Sequence, residues 1–322
     1  MVAFQEQTGC YTCTLNPGGQ TSFAHDFTSY MVALQGGWGS GKTYIGARKF
    51  CYIHYLNAFK FTFCDGDWYR GEKLFVPSVV VAPTYSNAMD FDCPNIYDAL
   101  DDQGLEYKFH SFGPIAGGRF SGPAIEVFDY GTKERPSLML IRTADSPKRI
   151  TGFEVGQAWG DEPARWKENR FEPLNDAFIQ LLGRVRHPKA NIIQMNFTYT
   201  NEGDETRIYE EMHNGNPDRS LHTASTRENP IMDKFVERQM ANLTPELAEQ
   251  YIEGGAANFR GGKVYSRFSI ENNVDGGLKY IPELPLHISF DFNSEPGMHA
   301  ELGQYHKSQD CLVVTCNSNG PN

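Results

Sequence analysis

The chain has 322 residues, 40% of them hydrophobic and 21% charged, with 22 Phe and 16 Tyr. That composition excludes wholesale disorder, and the length suffices for a sizeable core. With 29 Lys and Arg against 40 Asp and Glu the net charge is −11. This excludes a uniformly basic nucleic-acid binder, while leaving room for a local basic patch on an acidic body.

The start of the chain, Met1 to Thr8, is polar and lacks the basic-then-apolar layout of a signal peptide. No apolar run reaches the roughly 18–20 residues of a membrane helix, so a soluble intracellular protein is expected. Seven scattered Cys read as free thiols in a reducing compartment. Cys10-x-x-Cys13 has only Cys311 and Cys316 as a paired echo and no His pair nearby, which argues against zinc.

Residues 1–28 are Gly/Thr/Ser-rich and read as irregular. Tyr30 to Leu34 reads as a short buried strand, and Thr43 to Ala58 as a helix with Ile45, Phe50, Ile53 and Leu56 at roughly helical spacing. Val79 to Ala82 is a second buried strand, stopped by Pro83. A helix is expected over Asn95 to Gln103, then a strand pair, Ile125 to Phe128 and Leu138 to Arg142. Glu154 to Trp159 reads as a strand that is polar for a buried one, ending at Asp161-Glu162. Asn191 to Phe197 is a further strand, with helices over Asp204–Met212 and Met232–Glu253. Alternating strands and helices predict an α/β fold with a mainly parallel central sheet. The Gly/Asn-rich stretch from Glu271 to Leu278 places a domain boundary there, giving residues 1–278 and 279–322. The second begins with a strand at His287 to Phe292, and His287 to Val314 reads as a lone two-stranded hairpin, marginal in water.

Between the first strand and the first helix stands Gly36-Gly-Trp-Gly-Ser-Gly-Lys-Thr43. Gly36-x4-Gly41-Lys42-Thr43 is a complete Walker A phosphate loop. Glycines let backbone N–H groups close around phosphate oxygens, and the following helix turns its positive dipole end to the anion. Such a loop implies ATP as ligand, with Gly36, Gly37, Gly39, Ser40, Gly41 and Lys42 around the phosphates. Lys42 reaches the β- and γ-phosphates, and Thr43 holds Mg²⁺. A partner acid is required, and Asp161-Glu162 supplies it: Asp161 toward Mg²⁺ through water, Glu162 as general base on the attacking water.

An ordered set of segments resembles one family. Gly36 to Thr43 is followed by Val81-Ala-Pro-Thr-Tyr85, Gly152…Asp161-Glu162 and Phe197-Thr-Tyr-Thr-Asn201. Then come Ser225-Thr-Arg-Glu-Asn-Pro230, Gly261-Gly-Lys-Val-Tyr265 and Ser289-Phe-Asp-Phe-Asn293. Together they resemble the large subunit of tailed-phage terminases, motors that package DNA into capsids. The resemblance implies a RecA-like ATPase domain followed by an RNase H-like nuclease domain. It also implies double-stranded DNA as partner, a homo-oligomeric ring, a small terminase subunit, a portal protein and the host cytoplasm. By the same resemblance Gln20 reads the adenine edge, while Thr200 and Asn201 form a motif that senses the γ-phosphate. Asp291 corresponds to a first nuclease carboxylate that binds metal.

Some members of the family carry a transition-state arginine in the loop and others supply it from the neighbouring subunit; here Trp38 stands at the loop position. The resemblance then points to Arg149, in Lys148-Arg-Ile-Thr-Gly152, acting on a neighbouring subunit's ATP, with Arg142 as runner-up and Arg184 and Arg186 behind it. The cationic run Leu182-Gly-Arg-Val-Arg-His-Pro-Lys189 is a candidate DNA contact or a solvated face. No acid follows Asp310, so a two-metal nuclease site is not expected to be complete in these residues, and no DNA cleavage is predicted. Two alternatives stay open: another nucleic-acid motor of helicase kind, and a nucleotide-binding assembly subunit that does not hydrolyse ATP.

Overall fold

A computed structural model describes residues 15–58, 62–64, 67–69, 75–115, 118–129, 132–169, 171–204, 206–255, 281–292, 298–306 and 311–319. The chain separates into two compact units, Met1–Arg260 and Gly261–Asn322. The boundary expected between 278 and 279 and the Gly261 to Tyr265 segment lie outside the described residues, as do Cys10 and Cys13.

In chain order the first unit is built from α1 (Gly19–His25), β1 (Met31–Gly36), α2 (Lys42–Ala58), β2 (Ser78–Ala82), α3 (Cys93–Asp102), β3 (Tyr107–His110), β4 (Ala124–Asp129), β5 (Thr132–Thr143), β6 (Gln157–Asp161), α4 (Ala177–Leu182), β7 (Gln194–Tyr199), α5 (Arg207–His213), β8 (Arg219–Ala224) and α6 (Asp233–Met240). Its sheet has eight strands in the order β8-β1-β7-β6-β2-β5-β4-β3. The first six run parallel; β4 and β3 add antiparallel.

Parallel strands covered on both faces should read as continuous apolar runs, and β1 and β2 do. Alternate residues feed two cores. Val32, Leu34, Val80 and Trp159 pack with Phe50, Ile53 and Leu56 of α2. Met31, Ala33, Val79, Val81 and Ala158 face Phe178, Leu181 and Phe197 on the other side. The polar residues of β6 have specific partners. Gln157 donates to Phe50 O, and the Trp159 indole N–H donates to Thr198 Oγ1 at 2.8 Å. Gly160 leaves room for Phe197, whose ring would lie 2.6 Å from an added Cβ.

Helix α2 is buried nearly all round, so its polar residues are tied down. Lys49 donates to Phe23 O and Asp26 O, both at 2.7 Å, at the C-terminal end of α1. Asn57 donates to Ile192 O and accepts from Ile192 N. Gly46 touches the sheet: a Cβ there would lie 2.7 Å from Trp159 Nε1 and 2.8 Å from Thr198 Cγ2. Helix propensity favours Ala over Gly, yet overpacking wins at this contact. Gly46→Ala is therefore expected to destabilise by roughly 1–3 kcal/mol, read as a lower denaturant midpoint at unchanged slope.

Three expectations are corrected. The head is not wholly irregular, because α1 lies within it. The single helix over 232–253 is instead three pieces: α6, a turn at Pro245–Ala248 capped by Thr244, and a π-helical turn at Glu249–Glu253. Pro245 lacks an N–H and starts a new helical segment. In the second unit, β9 (His287–Phe292) and β11 (Cys311–Asn319) do not form a two-stranded hairpin. A strand between them, β10 (Met298–His306), pairs antiparallel with both. Buried Gln304 of β10 donates to Ile281 O and Leu284 O and accepts from Ile281 N.

Candidate functional site

In an open parallel sheet, ligands bind outside the carboxyl ends of the strands. Here β1, β7 and β6 end side by side, with Leu34 in register with Thr198 and Thr198 with Asp161. One strand, β7, thus stands between the phosphate-loop strand and the acidic one. All three ends are buried.

The loop from Gly36 to Gly41 turns into α2 through two left-handed glycines, Gly39 (φ 73°) and Gly41 (φ 83°). Its outer side is strapped down. Gly37 N–H donates to Ala224 O, and Trp38 N–H donates to Tyr251 O at 2.6 Å. The Trp38 ring stacks on Tyr251, with centroids 4.0 Å apart and planes 15° from parallel. Thr226 Oγ1 donates to Trp38 O and Asn229 Nδ2 to Gly39 O. A Cβ at Gly37 would meet Ile252 O and Thr226 Oγ1 at 2.5 Å, so only glycine fits beneath the strap. The N–H groups of Gly39, Gly41, Lys42 and Thr43 have no backbone acceptor among the described residues. These are the orphan donors of a helix start, arranged for an anion.

Gln20 is buried on α1 and braces the loop. Its Nε2 donates to Gly41 O at 3.1 Å, and its Oε1 accepts from Asn16 N. Asn16 in turn reaches Ser40 O at 3.3 Å. The Gln20 amide thus lies against the loop backbone, with both of its ends engaged.

Asp161 and Glu162 sit at the tip of β6. Glu162 is the one described non-glycine residue with positive φ (46°, ψ 50°). Such backbone costs on the order of 1–3 kcal/mol and persists only where surroundings hold it. Here Glu162 N–H donates to Thr198 O at 2.8 Å, and its Oε2 accepts from Thr200 N–H at 3.1 Å. Its Oε1 lies 3.6 Å from Lys42 Nζ. The structure thus brings the loop lysine and the acid together across β7, with Thr200 as the third member.

Asn201 is buried and spends its side chain within the protein. Its Nδ2 donates to Gln35 Oε1 at 3.0 Å, its Oδ1 accepts from Gly203 N, and its carbonyl accepts from Gln250 Nε2. The ends of β7 and β1 and the strap are thereby joined through one side chain and its backbone.

Asp161 accepts from Thr198 Oγ1 at 2.7 Å, while its backbone carbonyl accepts from the Trp166 indole. Burial and the Glu162 charge push its carboxyl up to about 7. The sequence reading missed the other buried acid at this point, Asp92. It closes a π-helical turn at Ala88–Asp92, a kind of irregularity found often at functional sites. Neither Asp92 oxygen has a donor, and its neighbour is the Asp161 carboxyl. Two carboxyls can share a hydrogen bond only if one keeps a proton. Burial and the Asp161 charge raise Asp92 well above the ordinary carboxylate range, so Asp92 is the proton holder and donor.

A raised acid binds its proton more tightly in the folded state, so its stabilising contribution is present at low pH. That contribution is lost as pH climbs from about 4 through the raised folded value. An amide donates with no proton to lose. Asp92→Asn is expected to unfold at a higher temperature than the parent at pH 8 and to lose that advantage near pH 5. Asp92→Ala, which leaves Asp161 with Thr198 Oγ1 but without the shared proton, should cost roughly 1–3 kcal/mol near pH 5 and less at pH 8. Thermal melts at the two pH values check both.

Of the predicted arginines, Arg149 is exposed on a 3-10 turn, Pro147–Ile150, and makes no ion pair among the described residues. Arg142 is buried and committed to carbonyls: Arg149 O at 2.9 Å, Pro123 O, Ile141 O and Ser121 O. It is the less accessible of the two candidates. Arg186 pairs with Glu154 at 3.1 Å. Asp291 lies on β9 and its side chain is outside the described residues.

A phosphate loop on the first strand of a mainly parallel sheet, with an acidic strand two places away, defines an α/β fold of the P-loop NTPase class. Among solved structures the same fold is found in phage large terminases. The large terminase of thermophilic bacteriophage D6E matches 95% of this chain and 68% of its own, with a TM-score of 0.57 at 13% identity. The same protein in complex with ATP-gamma-S gives 0.55 at 13% identity, covering 94% of this chain and 68% of its own. The ATPase domain of the Thermus phage P74-26 large terminase matches 79% of this chain and 99% of its own, with a TM-score of 0.51 at 14% identity. No protein-family model matches the sequence, and neither does any curated protein. No helix among the described residues is long and apolar enough to cross a membrane.

Proposed function

We propose that this chain is the ATP-hydrolysing motor subunit of a terminase-type DNA-packaging machine. One observation carries the reading: Lys42 of the loop and Glu162 of the acidic turn lie 3.6 Å apart, with the tip of β7 bonded to Glu162 through Thr200 N–H. The fold shared with terminases, one of them in complex with ATP-gamma-S and another with ADP, supports ATP as the substrate.

The free N–H groups of the loop and Lys42 bind the phosphates, and phosphate oxygens compete with Glu162 for the lysine ammonium. Glu162, released from that ion pair, accepts a proton from the attacking water while Thr200 N–H keeps its carboxylate oriented. Thr43 and Asp161 are the residues that would hold Mg²⁺; the hydroxyl–carboxylate donor set is all hard oxygen, as that ion requires. When bound, Mg²⁺ neutralises charge developing on the phosphate oxygens. Asn201, joined to Gln35 and the strap, offers a route from the γ-phosphate end of the site to the rest of the unit.

Double-stranded DNA as the translocated partner, a ring of like subunits, a small subunit and a portal belong to the same proposal. ATP turnover measured with and without double-stranded DNA tests it. Stimulation by DNA is expected; nucleotide binding with no turnover in either case would leave only an assembly role.

Arg149 is proposed as the transition-state arginine acting on a neighbour's ATP, since it is exposed and the loop carries none. Inactive Arg149→Ala and inactive Lys42→Ala proteins, mixed, are then expected to recover part of the turnover. Failure to recover any, with ring assembly verified, would put the arginine elsewhere. DNA cleavage is not proposed for these residues. Plasmid incubation with Mn²⁺ that leaves the DNA intact is the expected result.

A further inference from the structure

Away from the phosphate loop, beyond the ends of β2 and β5, the first unit holds a second cavity of about 580 Å³. Three arginines line it, Arg119, Arg142 and Arg149, against a single acid, Asp145. In a chain of net charge −11 this is a strong local reversal of sign. Neither Arg119 nor Arg149 is ion-paired among the described residues, and Arg142 is held by carbonyls with no carboxylate on it. Burial first, and then the Arg149 charge, push the Arg142 guanidinium down to about 10. At the rim stand two exposed aromatic rings, Tyr85 and Phe112, with centroids 6.1 Å apart and planes 31° from parallel. Both line the same cavity. The volume lies within the range of small-molecule sites.

Clustered arginines select phosphate, and exposed aromatic faces select a nucleobase by stacking. We propose that this cavity is a second ligand site, separate from the phosphate loop, that takes one unpaired nucleotide unit: its phosphate on the arginines and its base on Tyr85 and Phe112. Two sources carry that chemistry, a free nucleoside monophosphate and a frayed or single-stranded end of nucleic acid. The ATPase reading is not needed for this site.

The test uses the full chain carrying Lys42→Ala, which silences the loop's hold on β- and γ-phosphates. Two probes are titrated by fluorescence anisotropy: mant-AMP, and a fluorescein-labelled oligothymidylate of about twelve nucleotides. Arg119→Ala and Phe112→Ala are added singly. Both side chains are exposed, so neither change empties a core. Each is expected to weaken binding about tenfold, a loss of the size of one lost stacked base or charged contact. For the oligonucleotide, Arg119→Ala should also flatten the salt dependence by about one ion, and Arg119→Lys should restore the salt slope. Weakening confined to mant-AMP identifies a free nucleotide as ligand; weakening confined to the oligonucleotide identifies a strand. If either alanine variant keeps the parent affinity for both probes, or the parent binds neither, the proposal is overturned. Arg149 is left untouched, because its role at a neighbour's ATP would confound the readout. Arg119→Ala in the otherwise unaltered chain is expected to keep its DNA-independent ATP turnover, so loss of this site leaves the loop's function standing.

Discussion

Glu162→Gln is expected to yield a protein that binds ATP and does not cleave it. The amide keeps the shape of the side chain and still accepts from Thr200 N–H through its oxygen. It loses the ability to take a proton from water, and it loses the charge that meets Lys42 at 3.6 Å. With that competitor removed, the lysine is held less firmly and ATP affinity should hold or rise. Losing a positioned general base costs roughly 10²–10⁴-fold in rate. Single-turnover hydrolysis alongside equilibrium nucleotide binding separates the two effects. Cleavage at the parent rate would show that another group activates the water and that the strained turn at Glu162 serves some other purpose.

Lys42→Ala is expected to fail earlier, at both binding and chemistry. The ammonium is the one cationic side chain that the loop itself supplies, and the developing charge on the γ-phosphoryl oxygens has no substitute for it. A second consequence follows from the ion pair. Without Lys42, Glu162 keeps Thr200 N–H but loses its counter-charge in a half-buried pocket. The side chain is then held by one contact instead of two, so residual turnover should fall further than the loss of phosphate binding alone accounts for. Steady-state rates at saturating ATP, beside equilibrium nucleotide binding, would show it. Retention of substantial turnover at neutral pH would mean that the phosphates are bound elsewhere.

The loop could be read from the sequence because its demands are local. Glycines at 36, 37, 39 and 41 answer to backbone geometry within six residues, and Lys42 and Thr43 follow directly. Asp161-Glu162 was readable at a distance only because a phosphate loop requires an acid and few strands end in one. Asp92 could not be found this way. It depends on an extra residue in a helical turn, which swings one carboxyl toward another 69 positions further along. Helix α1 was hidden by its Gly, Thr and Ser, poor helix formers. It is held instead by Lys49, whose ammonium reaches the carbonyls at its end. Strand β8 was missed because its alternation of polar residues, Arg219 to Ala224, looked like a loop. It forms the edge of the sheet, where one side need not be apolar. The break at Thr244-Pro245 was visible, since a capping Thr followed by Pro is a helix start, but the surrounding helical composition outweighed it.

The strap over the phosphate loop has a practical consequence for dissecting the molecule. Gly254, in left-handed backbone, comes within reach of Gly36 and Ala224, where an added Cβ would meet atoms at 2.9–3.1 Å. Gln35 Nε2 donates to its carbonyl, and Trp38 leans on Tyr251. One wall around the phosphate loop is therefore laid by the last described residues of the first unit, more than 200 positions after the loop itself. A shortened fragment ending between Thr43 and Gly254 would keep every residue of the Walker motif and still release the loop from one wall. The smallest piece that keeps the phosphate loop in its native setting must extend at least that far, and limited proteolysis should find the 250–255 segment protected for as long as the loop is intact.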